Sequence, residues 1–320
     1  MTPVRLGTRG SQLALWQARA VAGALEARGH SVEVVVIRTT GDHLQEAPLA
    51  EVGGKRLFVK ELEDALLRRE IDVAVHSAKD LPAVLHDDLA IAATRPREDA
   101  RDAIVLPHGA TAADLPHAAV LLGDSPTIGT SSIRRIAQLS TLLPRARFVA
   151  LRGNVDTRLA KLDAGGFDAI VLAAAGLTRL GYGQRISVAI PIADCVPAPG
   201  QGILAIEIRA SDAATRALMA PLDDAQASAA LTAERAVVAA LGGGCQLPLG
   251  AVAMHDGADL DLHAIVASVD GRRSVRRHGR GPASDPAGLG RSVADELAAA
   301  GAVAILDDVR QAHGPVTGSY

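Results

Sequence analysis

Polar and cationic side chains gather in residues 129–135, Gly-Thr-Ser-Ser-Ile-Arg-Arg, at a predicted junction between a strand and a helix. Free backbone N–H groups and the helix dipole favour an anion at such a junction. Arg134 and Arg135 add two guanidinium forks that suit carboxylate or phosphate. The alternative is a capped helix with solvated arginines. We favour an anion site because capping needs one hydroxyl. This segment carries three, on Thr130, Ser131 and Ser132.

Cations also follow four other predicted strands. They are Arg9, Lys79, the pair Arg152 and Arg158, and Arg179. Ligands of open α/β sheets lie beyond the carboxyl ends of strands, so these side chains could line one crevice. The net charge of the chain is −3, so a local concentration of cations is selective. The pattern predicts a ligand with several carboxylates or phosphates.

Nucleotide motifs do not account for these cations. Residues 53–56, Gly-Gly-Lys-Arg, lack the spacing and the Ser or Thr of a P-loop, and no GxGxxG follows the first strand. We therefore infer that the anions are carboxylates. Most basic residues are arginine, but Lys55 and Lys79 lie in predicted turns. A compact ammonium can serve there where a planar guanidinium would not.

Residues 76–80, His-Ser-Ala-Lys-Asp, follow a buried strand predicted over 71–75. The carboxyl end of a core strand is the expected place for a site, and Asp80 would bring a carboxylate to it. A plain surface turn fits Lys79 and Asp80 equally well. Both interpretations stay open on these residues alone.

The two cysteines are Cys195 and Cys245. Cys245 follows three glycines at the end of a predicted helix, which indicates an exposed loop thiol that can react as a thiolate. Cys195 fits a small buried hydrophobe better. There is no CxxC pair and no HExxH, so a structural zinc site or a protease of that type has no support and no metal is expected.

Composition narrows the class of protein. The 320 residues are 48% hydrophobic and 22% charged, which indicates a globular chain with sizeable cores. The small net negative charge argues against nucleic-acid binding, and the longest apolar run is too short for a membrane span. The N-terminus opens into a strand and has no signal-peptide pattern, so we expect a cytoplasmic protein.

Strands and helices alternate through the first two-thirds of the chain. This alternation predicts α/β units with parallel sheets and helices on both faces. The predicted strands cover residues 4–8, 32–37, 71–75, 89–93, 127–130, 148–151, 169–172 and 203–208. Helices are predicted after a cap at Ser11, over 57–69, 131–142 and 154–162, and from 174 onward. The β-branched run 32–37 is typical of a strand buried on both faces.

The last hundred residues follow another pattern. A long helix over 223–241 precedes three segments that alternate like an antiparallel meander, and a closing helix covers 289–300. The meander segments are 248–253, 259–268 and 272–279. We expect a frayed tail after residue 308. The sequence thus predicts two α/β domains and a smaller α+β domain.

Seven strings together resemble the porphobilinogen deaminases, also called hydroxymethylbilane synthases, over residues 5 to about 306. One such string would be weak evidence of the resemblance, but seven in the same order along the chain are highly specific. They occupy residues 8–15, 52–55, 76–80, 129–135, 151–159, 199–202 and 243–246. The resemblance implies a cytoplasmic transferase of porphyrin, tetrapyrrole and heme biosynthesis. It would act on porphobilinogen, without nucleic acid, membrane or obligate protein partner. No heptad or long apolar edge in the sequence argues for assembly, so a monomer is the default expectation.

The resemblance also implies the reaction. Cys245 would hold a dipyrromethane cofactor through a thioether, and four porphobilinogen units would be added to it head-to-tail, each with loss of ammonia. Water would then release the linear tetrapyrrole hydroxymethylbilane. Asp80 matches the catalytic carboxylate that stabilises the cationic azafulvene and helps to move protons.

Other residues match positions that bind cofactor or substrate. The arginines that would grip acetate and propionate groups are Arg9, Arg134, Arg135, Arg152, Arg158 and Arg179. The further matches are Ser11, Lys55, Phe58, Ser77, Lys79, Thr130, Ser131, Ser132 and Asn154. Phe58 would pack on the pyrroles, and residues 43–56 would form a lid. Arg56 stands where the family usually has glycine, and it would stiffen the lid or add a cation to it.

The fold implied by the family agrees with the prediction from the residues. Two doubly wound lobes like those of periplasmic binding proteins would be domain 1 (1–98 and 200–220) and domain 2 (102–196). Domain 3 (222–320) would be α+β, with an antiparallel sheet, and would carry the cofactor. A non-catalytic anion-binding module is the alternative, since it would use the same cleft without Cys245. A covalent adduct on the purified protein separates the two.

Overall fold

Three separate β-sheets organise the chain in the computed structural model, which describes residues 2–37, 59–242 and 247–313. The strands are β1 (Val4–Thr8), β2 (Val32–Val36), β3 (Val73–Ser77), β4 (Leu89–Arg95), β5 (Asp102–Val105), β6 (Thr127–Gly129), β7 (Arg147–Val149), β8 (Ala169–Ala173), β9 (Val188–Ala189), β10 (Leu204–Arg209), β11 (Leu249–Asp256), β12 (Asp259–Ala267) and β13 (Ser274–Pro282). The α-helices are α1 (Gln12–Glu26), α2 (Lys60–Leu67), α3 (Leu115–Leu122), α4 (Ile133–Leu142), α5 (Val155–Asp163), α6 (Ala174–Arg179), α7 (Ala213–Met219), α8 (Ala225–Ala240), α9 (Pro286–Ala299) and α10 (Ala302–His313).

The first sheet has the order β2-β1-β3-β10-β4. Strand β1 is parallel to β2 and β3, but β10 runs antiparallel to β3 and β4. The prediction of a parallel sheet is therefore confirmed for β1, β2 and β3 but is wrong for β10. Strand β10 returns from the second lobe and does not close a βαβ unit, so the rule that keeps such units parallel does not constrain its direction.

Helix α1 covers the core of the first sheet. It begins as predicted at Ser11, whose Oγ accepts a hydrogen bond from the backbone N–H of Ala14, a cap that contributes about 1 kcal/mol. Val21 and Leu25 of α1 pack with Leu6 and Val75 of the sheet, all fully or nearly fully buried. This packing fixes the carboxyl ends of β1 and β3 side by side.

Strand β2 is not buried on both faces, contrary to the expectation from its β-branched run. It is an edge strand of its sheet, and Val34 and Val36 are 36% and 48% exposed. The β-branched run does predict a strand, but not burial on both faces. Composition alone does not distinguish an edge strand from a central one, because that depends on which strands pair with it.

The second sheet has the order β7-β6-β8-β5-β9. Strands β6, β7 and β8 are parallel, whereas β5 is antiparallel to β8 and β9. Ile128 and Val171 lie in the core on one face, and Leu151 and Ile170 lie in the core on the other. The carboxyl ends of the three parallel strands therefore share one edge, where residues 129–135 and 151–158 begin.

The third sheet, β11-β12-β13, is antiparallel throughout, as predicted. Helices α8, α9 and α10 bury its inner face through residues such as Val237, Val293 and Leu306. Helix α10 extends to residue 313, so the expectation of a frayed tail after residue 308 is wrong for residues 309–313. Ile305, Leu306 and Val309 anchor that helix by burial.

A buried carboxylate fastens the third sheet to the two segments that join the lobes. Glu234 of α8 is fully buried and accepts two hydrogen bonds from Arg97, at 2.7 and 3.0 Å. Its oxygens also accept the backbone N–H groups of Gly200 and Ala253, at 2.6 and 2.7 Å. Residues 97 and 200 lie in opposite crossings between the lobes, so one side chain links both crossings to β11.

These sheets confirm the predicted fold class of two α/β lobes and a smaller α+β unit. The residue boundaries of the three domains stay a prediction. Within the described residues, no helix combines the length and the apolar character needed to cross a bilayer.

Candidate active site

A cavity of about 70 Å³ opens at the carboxyl ends of β1 and β3. It is lined by Arg9, Ser11, Leu13, Ala14, Gln17, Val59, Leu62, Val75, His76, Ser77 and Asp80. Four predicted site residues, Arg9, Ser11, Ser77 and Asp80, thus meet at one place. Strand β3 ends two residues later than predicted. His76 and Ser77 therefore belong to the strand, and Asp80 ends a short 3₁₀ turn after it.

Two polar contacts in this cavity were not predicted from the sequence. The Gln17 side chain is buried and donates a hydrogen bond from Nε2 to Ser77 Oγ, at 2.8 Å. Behind it, His76 Nε2 lies 3.0 Å from Glu207 Oε2 on β10, with both side chains buried. Gln17 lies two residues beyond a recognised string, and Glu207 lies within an apolar strand, so neither carried a local signal.

Arg158 of α5, in the second lobe, lies within range of the charge of Asp80. Burial and the charge of Arg135 together lower the pKa of Arg158 to about 10, and the charge of Asp80 opposes both. Arg158 also donates from Nε to the carbonyl of Gly153, at 2.7 Å. The carboxylate of Asp80 therefore lies close enough to Arg158 of the other lobe to stabilise its charge.

The three hydroxyls of residues 130–132 have separate structural roles. Ser131 Oγ donates to the carbonyl of Leu151 at 2.9 Å and accepts its N–H at 3.1 Å, which ties the ends of β6 and β7 together. Ser132 caps α4, and Thr130 accepts the N–H of Ser132. Each of the three hydroxyls thus contacts the local backbone, but Thr130 and Ser132 do so as acceptors, and a hydroxyl that accepts an N–H also has an O–H to donate. Their contact with an anion stays a prediction.

Arg134 and Arg135 share a partner that sequence analysis missed. Asp102, at the start of β5, accepts from Arg134 Nη1 at 2.6 Å and from Arg135 Nε at 2.9 Å. Gln201 Nε2 donates to the same carboxylate at 2.9 Å, and all four side chains are buried. The remaining Nη1 of Arg135 donates to the carbonyl of Val171. Two cations thus surround one carboxylate and leave one net positive charge.

Burial alone would raise the pKa of Asp102. The charges of Arg134 and Arg135, with the hydrogen bonds, instead hold that pKa well below its usual range. Both arginines were predicted to hold carboxylates of a ligand. In the structure both already hold an internal carboxylate, and their contact with a ligand stays a prediction.

The other predicted cations lie at different depths. Arg179 is buried, donates to the carbonyl of Gly202 at 2.5 Å and lies over the ring of Trp16, with 5.9 Å to the ring centroid. Burial lowers its pKa to about 10. Its described contacts are with the crossing segment and α1, so it joins the lobes. Asn154 is exposed at the N-cap position of α5, and Arg152 is half-buried beside it.

A second cavity of about 70 Å³ lies between the lobes and the third sheet. Its polar lining is Lys79, Ser132, Arg134 and Arg235, and its apolar lining includes Ala78, Pro199, Val238, Leu247 and Leu249. Lys79 Nζ lies 3.4 Å from Gln201 Oε1. Three residues predicted from separate strings, Lys79, Ser132 and Arg134, therefore line one space. Lys55, Phe58, Cys245 and the predicted lid over 43–56 lie outside the described residues.

Comparison with known proteins assigns the family. A family model described as "Porphobilinogen deaminase, dipyromethane cofactor binding domain" matches residues 4–217, and the model of the porphobilinogen deaminase C-terminal domain matches residues 228–299. The chain belongs to the porphobilinogen deaminase family. The first model spans both lobes and contains both crossings, and the second spans the third sheet and Cys245.

Curated porphobilinogen deaminases are similar over nearly the whole chain. The protein of Syntrophobacter fumaroxidans is 47% identical over 97% of this chain and 98% of its own. That of Bordetella parapertussis is 49% identical over 95% of both chains. That of Moorella thermoacetica is 46% identical over 99% of this chain and all of its own.

Solved structures also resemble parts of this porphobilinogen deaminase family member. The periplasmic VFT2 domain of Bordetella pertussis BvgS is 19% identical, with a TM-score of 0.40 over 68% of this chain and 86% of that one. The second substrate binding domain of a putative amino acid ABC transporter from Streptococcus pneumoniae is 11% identical. Its TM-score is 0.41 over 75% of this chain and 95% of that one.

Proposed function

We propose that the protein is a transferase that joins four porphobilinogen molecules head-to-tail on a dipyrromethane primer. Each addition releases ammonia, and water then releases the tetrapyrrole hydroxymethylbilane. The observation that carries the proposal is the position of Asp80. It is a half-buried carboxylate that lines a cavity with Arg9 and acts on the charge of Arg158 from the other lobe.

Asp80 suits the step in which charge develops. Loss of ammonia breaks a C–N bond and leaves a cationic azafulvene, and the C–C bond that follows requires loss of a proton from a pyrrole. A preorganised carboxylate in a partly dry cavity stabilises such a cation and accepts hydrogen bonds from pyrrole N–H groups. The apolar lining from Leu13, Leu62 and Val75 lowers the local dielectric and strengthens that interaction.

The surrounding arginines suit the acidic arms of the substrate. Porphobilinogen carries an acetate and a propionate, so a growing chain accumulates negative charge. Guanidinium groups bind carboxylates in a bidentate manner, and partial burial strengthens the pairing. We assign this role to Arg9, Arg134, Arg135, Arg152, Arg158 and Arg179. Ser11, Lys55, Phe58, Ser77, Lys79, Thr130, Ser131, Ser132 and Asn154 would support it.

The second cavity fits a cofactor with acidic arms. Lys79, Arg134 and Arg235 supply positive charge, and Leu247, two residues along the chain from Cys245, lies in its wall. Dipyrromethane bound to Cys245 by a thioether would supply the primer to which porphobilinogen is joined. Ser132 and Arg134 would orient its carboxylates, and Pro199, Val238 and Leu249 would exclude water from its rings.

Intact mass spectrometry of the purified protein tests this proposal. We expect a mass above that of the chain by an adduct of two linked pyrrole units, and its loss in Cys245→Ala. Cys195→Ala is the matched control, since Cys195 is fully buried and its pKa is raised to about 12, which makes it a poor nucleophile. An unmodified wild-type protein that binds polycarboxylates without turnover would instead indicate the non-catalytic module.

We infer further that the enzyme works as a cytoplasmic monomer and that its domains divide near residues 98–102, 196–200 and 222. Light scattering on the holoenzyme at micromolar concentration tests the first point. A mass near that of one chain, 32.9 kDa, is expected, and a dimer mass would refute it.

A further inference from the structure

Three potential metal ligands converge on the outer face of the third sheet. Asp261 and His263 alternate along β12, so both side chains point to the same face. His278 on β13 lies directly opposite His263 in the strand register. The donor atoms of the three side chains all lie within 4.8 Å of one another. The sheet itself brings these groups together, because antiparallel register fixes all three backbones.

Both imidazole rings lie close to the same carboxylate oxygen, Asp261 Oδ1. His278 Nε2 is in close contact with Asp261 Oδ1, and His263 Nε2 lies 3.5 Å from the same atom. The two rings lie 4.6 Å apart between centroids and are tilted by 32°. Two imidazole nitrogens and one carboxylate oxygen within 4.8 Å of one another form a ligand set that borderline divalent cations prefer.

The nearby arginines already have partners. Arg276 donates to the carbonyl of Ala193, and Arg280 pairs with Asp256 and Asp259.

We propose that Asp261, His263 and His278 bind one divalent first-row transition ion, such as Zn²⁺ or Co²⁺, with its remaining coordination positions open to solvent. Three protein ligands with open positions are usual for such ions, and hard cations such as Mg²⁺ would disfavour the imidazoles. The ion would join β12 to β13 and stabilise the folded sheet, because it would bind the folded chain in preference to the unfolded one. This proposal does not depend on the proposed function.

Isothermal titration of the holoenzyme with Zn²⁺ at neutral pH tests the site. We expect one ion per chain, and a higher unfolding temperature with Zn²⁺ than with EDTA. His263→Ala and His278→Ala should each weaken binding by about tenfold to a hundredfold or more, since even the loss of an outer-shell partner costs that much. Asp261→Asn should also weaken it.

His255→Ala is the matched control. His255 belongs to β11 of the same sheet, but it bonds to the carbonyl of Gln226 on the side of α8, so its removal should leave Zn²⁺ binding unchanged. Unfolding curves in EDTA verify that each variant folds. A wild type that takes up no Zn²⁺, or a His263→Ala/His278→Ala double variant with wild-type affinity and stoichiometry, would overturn the proposal.

Discussion

The two lobes use the same pair of groups, a carboxylate and arginines, at different depths. In the first lobe Asp80 is half-buried, lines a cavity and lies near Arg9. In the second lobe Asp102 is fully buried, and Arg134, Arg135 and Gln201 occupy its oxygens. The carboxylate thus faces a cavity in the first lobe, whereas in the second lobe it is enclosed and holds two arginines in place.

The largest effect on stability is expected for Asp102→Asn. The change keeps the volume but leaves Arg134 and Arg135 buried without a counter-charge. Breaking a buried ion pair in this way costs about 3–5 kcal/mol of unfolding free energy. Urea unfolding followed by circular dichroism measures it. If Asp102→Asn unfolds at the wild-type urea midpoint, Asp102 is not a scaffold and the contrast between the lobes fails.

The pH dependence of stability should report on the buried carboxylate of Asp102. Because the folded pKa of Asp102 is depressed, its contribution is present above the unfolded value of about 3.9 and is lost as the pH falls below it. Between about pH 6 and about pH 3, wild type should lose more unfolding free energy than Asp102→Asn. Parallel curves for the two proteins would contradict this account.

The positions of the strand ends could be predicted from the sequence, but the residues that pair with the side chains near them could not. The strings around Arg9, Asp80, Arg134 and Arg158 mark loops after strands, and those strands are where the pattern placed them within a few residues. Asp102 was missed because β5 has only four residues and no flanking pattern. Its partners are separated from it by 32 to 99 residues along the chain, and pairing at such distance leaves no local signal.

The sequence also could not predict the antiparallel direction of β10 or the hydrogen-bond partners of the hydroxyls. Strand β10 has the apolar composition of a parallel strand, but it enters the sheet antiparallel after the second crossing. A count of hydroxyls could not reveal that Ser131 ties two strand ends. Glu234 lies in an Ala-rich helix, where an acidic residue usually faces solvent, and its burial depends on the crossings that fold onto it.

A smaller loss of unfolding free energy is expected when the hydroxyl of Ser131 or of Ser77 is removed. Ser131→Ala removes two hydrogen bonds with Leu151 and leaves its N–H and carbonyl unsatisfied, which should cost about 1–3 kcal/mol. Ser77→Ala removes one bond from Gln17 and should cost about 0.5–1.5 kcal/mol. Urea midpoints of both variants test the order. A larger loss for Ser77→Ala would reverse the assigned roles of the lobes.

Steady-state turnover and urea unfolding of Asp80→Asn, measured on the same preparation, test the central claim most directly. Removing the charge that stabilises a cationic transition state should lower kcat by about 10²–10³-fold. The urea midpoint should stay close to that of wild type, with exposed Asp88→Asn as a control that changes neither. If Asp80→Asn turns over at the wild-type rate, or loses as much stability as Asp102→Asn, Asp80 is not the carboxylate that acts on the substrate.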